Sequence, residues 1–221
     1  MRSTLHCLAA FVLCSVPAWG AEATSPFDGK SLAAWTTQDG KPVSECWEVA
    51  DGVIHLKKDG RRAGHIVTVE EFGDFDLSFE WKIAPGGNSG LKYKVRNYGN
   101  KVLGCEYQIY DDTGAKKKAR PQNSAGALYD LYEPSDSKHL KPAGEYNQAR
   151  IVVRGNRIEH WLNGALVVSA TIGDDEWNRR IAASKFNDAK AFARNARGKL
   201  MLTDHGSEVW YRNFVFQPVA E

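Results

Sequence analysis

Apolar and polar residues alternate with a period of two along much of this chain. The clearest case is Phe75 to Lys82, where Phe75, Leu77, Phe79 and Trp81 interleave with Asp76, Ser78, Glu80 and Lys82. Successive side chains of a β-strand point to opposite faces, so this stretch predicts a strand with one face in a core and the other in water. Leu91, Tyr93 and Val95 against Lys92, Lys94 and Arg96 repeat the pattern. From Gly104 to Asp112, Cys105, Tyr107 and Ile109 share one face while Glu106, Gln108 and Tyr110 share the other. That second face sets a carboxylate, an amide and a phenol in a row, groups suited to a ligand rich in hydroxyls.

Shorter runs predict further strands at Leu32 to Trp35, Cys46 to Val49, Val53 to Leu56, His65 to Val69, Ala149 to Arg154, Arg157 to Leu162, Ala165 to Ala170, Gly198 to Thr203 and Glu208 to Gln217, with a short one at Ala127 to Tyr129. Asp51-Gly52 and Asn163-Gly164 fall between apolar runs, where a tight hairpin turn needs residues that tolerate positive φ. Asp111 to Ser124 and Pro134 to Pro142 read as loops. Asp174 to Arg197 lacks alternation and is rich in Ala, Lys and Arg, which predicts a helical turn or two inside a long insertion. About a dozen short strands at this spacing predict an all-β, antiparallel sandwich or jelly roll.

Residues 1–20 carry one charge, Arg2, then an apolar run from Leu5 to Val16 and the sequence Pro17-Ala18-Trp19-Gly20. This has the form of a secretory signal peptide and is too short for a membrane span. Leu13 precedes Cys14 where a lipoprotein signal wants a small residue, so the expectation is a soluble periplasmic or secreted protein. The remaining 21–221 carry no Pro- or Ser-rich linker and no repeat, and one domain is expected. Loss of Arg2 lowers the formal charge from +2 to +1. That near-neutral balance argues against nucleic acid as a partner, and the run Lys116 to Arg120 reads as loop charge. Cys46 and Cys105 lie outside the leader; in an oxidising compartment they are either a disulfide or two buried thiols, since pairing depends on Cβ geometry.

Several motifs occur in order: Phe27-Asp28-Gly29-Lys30 with Trp35, Asp74-Phe75 leading to Glu80-Trp81, Asn88-Ser89-Gly90, Glu106-Tyr107-Gln108-Ile109, Gly126 to Tyr129, Glu159 to Gly164, Ser184-Lys185-Phe186, Asp204-His205-Gly206 and Arg212-Asn213. As a set they resemble the 3-keto-disaccharide hydrolase family, formerly a domain of unknown function. The resemblance implies a concanavalin A-like jelly-roll sandwich whose concave sheet binds a sugar. It also implies cleavage of glycosides already oxidised at C3 by a separate sugar 3-dehydrogenase. A C3 ketone acidifies the C2 hydrogen, so a base can form an enolate that expels the C1 substituent before water adds. Such chemistry needs a base, an oxyanion stabiliser and an acid, with no nicotinamide of the enzyme's own. The chain departs from the family at Leu202-Thr203-Asp204-His205-Gly206, where Gln is usual in place of Thr203, and at Tyr146-Asn147 for Trp-Asn.

Glu106 is the first candidate for a catalytic carboxylate; on pattern alone a solvated residue on an exposed sheet face fits equally, and the resemblance decides for function. His205 titrates near neutral pH and suits proton transfer, sharing a face with Thr203 if the strand runs that far. Gln108, Arg212, Glu80, Lys92, Asp111, Lys185 and Trp210 are substrate-binding candidates. Arg212 could stabilise an enolate oxygen or simply pair with Glu80 or Glu106; Asp111 could be a second carboxylate or a turn cap; Trp210 could stack on a pyranose. Trp35, Trp47, Trp81 and Trp161 are assigned to the core, His160 to packing, and His55, His65 and His139 to no role. A lectin-like binding module on the same fold is the alternative function. An ordinary glucanase ranks last, because retaining chemistry needs two carboxylates about 5 Å apart and Glu106 is followed on its face by Gln108 and Tyr110. No metal-ligand spacing is present, which leaves a divalent ion at the ketone open.

Overall fold

The computed structural model describes residues 25–57, 62–116 and 118–219. The leader 1–20 and Lys117 of the basic run lie outside the described residues. Twelve strands occur among them: β1 Trp35–Thr37, β2 Trp47–Ala50, β3 Val53–Leu56, β4 Ile66–Thr68, β5 Phe75–Ile83, β6 Asn88–Tyr98, β7 Lys101–Tyr110, β8 Asn147–Arg154, β9 Arg157–Leu162, β10 Ala165–Thr171, β11 Lys199–Leu202 and β12 Val209–Pro218. They form a five-stranded sheet, β1-β4-β11-β6-β7, and a seven-stranded sheet, β10-β9-β8-β5-β12-β3-β2. All the pairings are antiparallel. The fold is an all-β jelly-roll sandwich.

Period two is the cause of the layering. Along β5 buried and half-buried residues alternate without exception, and Phe75, Leu77, Phe79 and Trp81 are all 2% exposed or less. They meet the inner face of the other sheet, with Phe79 edge-on to Tyr107 at 5.9 Å and Phe75 edge-on to Tyr93 at 6.1 Å between ring centroids. His160 sits among them, fully buried, between the hydroxyl of Tyr93 (2.9 Å) and the carbonyl of Gly126 (3.1 Å), a hydrogen-bonded packing residue as expected. The two hairpin dipeptides turn as their residues allow: Asp51 and Gly52 at φ 50° and 75°, Asn163 and Gly164 at 47° and 84°.

Several expectations need correction. The first strand is Trp35–Thr37 rather than Leu32 to Trp35. Ala127 to Tyr129 is not a strand; it runs beside β7 through a single bridge from Leu128 to Tyr107 and backbone bonds to Glu106 and Gln108. In β6 a bulge between Tyr93 and Arg96 breaks the alternation. Lys94 takes φ 52° and is buried, while Val95 turns to the outer face beside Val67 and Met201. Trp161 faces outward from the seven-stranded sheet, because His160 takes the inward position. Of the two alternatives left open for Cys46 and Cys105, the structure has the one without a disulfide between them. Cys46 precedes β2 at one edge of the larger sheet, and Cys105 points into the core from β7 at an edge of the smaller one.

The insertion contains one helix, α1, Asp175–Ala182. Asp174 caps it by accepting from the Trp177 N–H at 2.7 Å. Buried Trp177 and the stacked pair Phe186–Phe192, 4.2 Å apart, fasten the insertion to the sandwich. Lys185 is thereby brought to the outer face of the smaller sheet.

Candidate active site

The register of β6 against β7 places Lys92 directly opposite Glu106 and Gly90 opposite Gln108. Lys92 Nζ lies 3.7 Å from Glu106 Oε2. Glu106 is not the solvated residue that alternation alone allows: it is 4% exposed, and Gln108 is 2% exposed. Gln108 donates to Asn88 Oδ1 at 3.1 Å. Glu106 Oε1 is buried with no hydrogen-bond partner among the described residues. An anionic oxygen in that condition is an acceptor held ready for a ligand, because leaving it unmade costs more than the bond is worth.

The cover over Glu106 comes from three segments. The 126–129 stretch is fastened along β7 by the Tyr129 N–H donating to the Glu106 carbonyl at 3.0 Å. Asp130, held by Arg120 at 2.5 Å, accepts from the Lys185 N–H at 2.9 Å and so fixes the insertion against that stretch. Lys185 Nζ then lies 4.1 Å over the Tyr129 ring. Crowding by protein lowers the Lys185 pKa; Glu106 opposes that and Lys92 adds to it.

The third segment is a pair of histidines. His65 and His205 meet edge to face at 5.8 Å. Buried Asp204 builds this pair: its Oδ2 accepts from the Gly64 N–H at 2.9 Å, its Oδ1 from the Gly206 N–H at 2.7 Å, and its own N–H donates to His65 Nδ1 at 2.9 Å. With Nδ1 accepting, a neutral His65 carries its proton on Nε2 and presents a donor. Burial, then the charge of Lys92, pushes both imidazoles down to about 4, with Arg62 acting further on His205. Both rings are neutral at pH 7. Thr203 is fully buried and donates its N–H to the Gly90 carbonyl at 3.0 Å; β11 ends at Leu202, so Thr203 and His205 do not share a strand face.

The structure thus brings together Glu106, Gln108, Lys92, Lys185 and His205, and adds His65, Tyr129 and Asn88. It separates the rest. Glu80, Trp210 and Arg212 lie on β5 and β12 of the other sheet. Arg212 donates to Glu80 at 2.7 Å and stacks 3.7 Å over Tyr146, the ion-pair alternative considered for it. Trp210 lies flat on His55 at 4.7 Å with Lys82 on its ring at 4.0 Å. Asp111 is a turn cap accepting from the N–H groups of Gly86, Thr113 and Gly114. Burial would raise its pKa, but those three donors win and hold it low. Among the described residues no three His, Cys, Asp or Glu side chains converge as metal ligands.

Residues 22–217 match the 3-keto-alpha-glucoside-1,2-lyase-like domain. This chain belongs to that family. A 3-keto-disaccharide hydrolase of Bacteroides thetaiotaomicron is 30% identical over 218 residues, covering 85% of this chain and 75% of the relative. A crystal structure assigned as a glycosyl hydrolase from Parabacteroides distasonis superposes with a TM-score of 0.78 at 30% identity, over 88% of this chain and 93% of that one. A second from the same organism gives 0.70 at 26% identity, over 89% and 98%. The exoplasmic/lumenal domain of VIP36, in a Ca2+/Man3GlcNAc-bound form, shares the fold alone, at 10% identity, a TM-score of 0.54 and 89% of each chain. His65 is the residue of the Glu106 cleft that sequence reasoning passed over. It stands just before β4, and nothing local to Gly64-His65-Ile66 says that β4 will lie two strands from Lys92.

Proposed function

We propose that this protein cleaves 3-keto-glycosides by elimination at C1 followed by addition of water. The buried Glu106 carboxylate, with Oε1 unpartnered and Lys92 on Oε2, carries the reading. Glu106 takes the C2 proton, and the electron pair passes to the C3 oxygen as an enolate. Lys92 and Lys185 supply positive charge there, and the Nε2–H of His65 a neutral donor. Collapse of the enolate restores the C3 ketone, forms a C1–C2 double bond and breaks the C1–O bond. His205, neutral at rest, draws a proton from solvent and hands it to the leaving oxygen as the C1–O bond breaks. Water then adds across C1 and C2: His205 accepts the proton of the attacking water and returns it to solvent, Glu106 gives its proton back to C2, and the products are the 3-keto-sugar and the free alcohol.

The same reading includes export, from the form of residues 1–20, and a separate dehydrogenase that makes the ketone. The test is release of a chromogenic leaving group from a synthetic 3-keto-glucoside beside the unoxidised glucoside, with and without chelator. Release from the keto substrate alone is expected. Saturable sugar binding with no release from either would make the domain a lectin-like binding module.

A further inference from the structure

On the opposite side of the sandwich, the outer face of the seven-stranded sheet holds a groove of about 450 Å³ lined by Trp161, Arg150, Glu80, Gln148, Asn213 and Val215 over a floor that includes Ser78. That volume is within the range of small-molecule sites. We propose that this groove is a second saccharide-binding site, distinct from the Glu106 cleft, that takes a neutral oligosaccharide with Trp161 as its apolar wall.

The groove is formed by a departure from regular sheet. The register of β12 against β5 slips between Arg212 and Val215, and Asn213 takes φ 54°. The bulge separates Val215, 54% exposed, from Arg212 and leaves small Ser78 beneath. Val215 and the indole thus give apolar contact on an otherwise polar face.

The polar lining is fixed and balanced in charge. Arg150 grips Asp76 through two bonds, Nε to Oδ1 at 2.7 Å and Nη2 to Oδ2 at 2.5 Å. Arg212 holds Glu80 at 2.7 Å. The Trp161 indole N–H donates to Glu159 at 3.0 Å, which sets the ring's orientation, and Arg150 lies 5.4 Å from its centroid. Each guanidinium is matched by a carboxylate, so the groove has no surplus charge with which to select a phosphate or an acidic ligand. Paired planar groups, two amides and exposed apolar surface suit a molecule with hydroxyls around its edge and apolar C–H faces, which describes a pyranose.

The experiment titrates maltohexaose, cellohexaose and laminarihexaose separately into the 15N-labelled protein, following the indole N–H resonances, with Trp161 assigned from Trp161→Phe. A saturable shift of the Trp161 resonance with at least one hexaose is expected. Variant affinities are read by calorimetry with the same hexaose, since Trp161→Ala removes the reporter resonance. Trp161→Ala should weaken that affinity by at least about tenfold, and Gln148→Ala, an exposed change that spares the fold, by about threefold. Glu106→Gln should leave it unchanged, and Trp161→Ala should leave keto-glucoside turnover unchanged. The proposal is overturned if no hexaose moves Trp161, or if Glu106→Gln abolishes the binding.

Discussion

The carboxylate of Glu106 lies across the bare backbone of Gly90 on the neighbouring strand: a Cβ at residue 90 would stand 2.5 Å from Oε1 and 3.0 Å from Cγ. Gly90 is extended, so it serves here by its lack of a side chain rather than by unusual backbone angles. Gly90→Ala should therefore displace Glu106. An overpacked position of this kind costs about 1–3 kcal/mol. The melting temperature should fall by several degrees, and turnover of a 3-keto-glucoside should fall at least about tenfold as the proposed base loses its position. Unchanged turnover by Gly90→Ala would show that the placement of Glu106 is irrelevant to the chemistry.

Lys92 and Glu106 face each other with side chains 13% and 4% exposed. Removing one member of such a pair leaves the other as an uncompensated charge. Lys92→Met should destabilise by about 3 kcal/mol, and the double variant Lys92→Met/Glu106→Gln should recover most of that loss. Denaturant titration of the four proteins measures the coupling. Strict additivity would mean that the two charges do not interact.

Face parity was legible in the sequence, and sheet membership was not. Alternation put Cys105, Tyr107 and Ile109 inside and Glu106 with Gln108 outside, and the hairpin dipeptides gave the β2–β3 and β9–β10 connections. Period two says only whether a residue points in or out. It cannot say whether an outward residue on β12 shares a sheet with one on β7, so Arg212, Glu80 and Trp210 were grouped with Glu106 although a whole sandwich lies between them. The bulge at Lys94 carries no Gly or Pro to announce it. The burial of Glu106 arises largely from the 126–130 and 184–186 segments: the first runs beside β7 through backbone bonds to Glu106 and Gln108, and the second is fastened to the first through Asp130, pairings that no local pattern announces.

His160 is wholly buried, and desolvation pushes its pKa down to about 4. A folded-state pKa below the unfolded value means that the unfolded chain binds more protons between the two. Stability is thus fully present above about pH 6.5 and is lost as pH falls toward 4, on the order of 3 kcal/mol from this residue. His65 and His205, more open to solvent, act in the same direction. Melting temperatures should decline steeply between pH 6.5 and 4, and the His160 ring resonance should not titrate near 6.5. A midpoint near 6.5 for that resonance would contradict its burial.

With no bond between Cys46 and Cys105, reductant should leave the melting temperature unchanged. Alkylation in denaturant without reductant, followed by peptide mass spectrometry, should find both residues alkylated. Recovery of a Cys46–Cys105 linked peptide would overturn this, and would require the two opposite sheet edges to approach.

The separation of the two sheets makes the sharpest demand on substitutions. Lys185 reaches the Glu106 cleft, whereas Arg212 is spent on Glu80 and Tyr146 and Trp210 on His55 and Lys82. Arg212→Ala and Trp210→Ala should each cost about 1 kcal/mol of stability or less, as surface ion pairs and partly exposed stacks do, and leave kcat/KM within about twofold. Lys185→Ala and His205→Ala should lower kcat/KM by about a hundredfold or more, since each removes a group facing the developing charge or the transferred proton. Steady-state kinetics on one 3-keto-glucoside ranks all four. If Arg212→Ala were as damaging as Lys185→Ala, the reacting sugar would have to lie on the seven-stranded sheet, and the assignment of the cleft around Glu106 would fail.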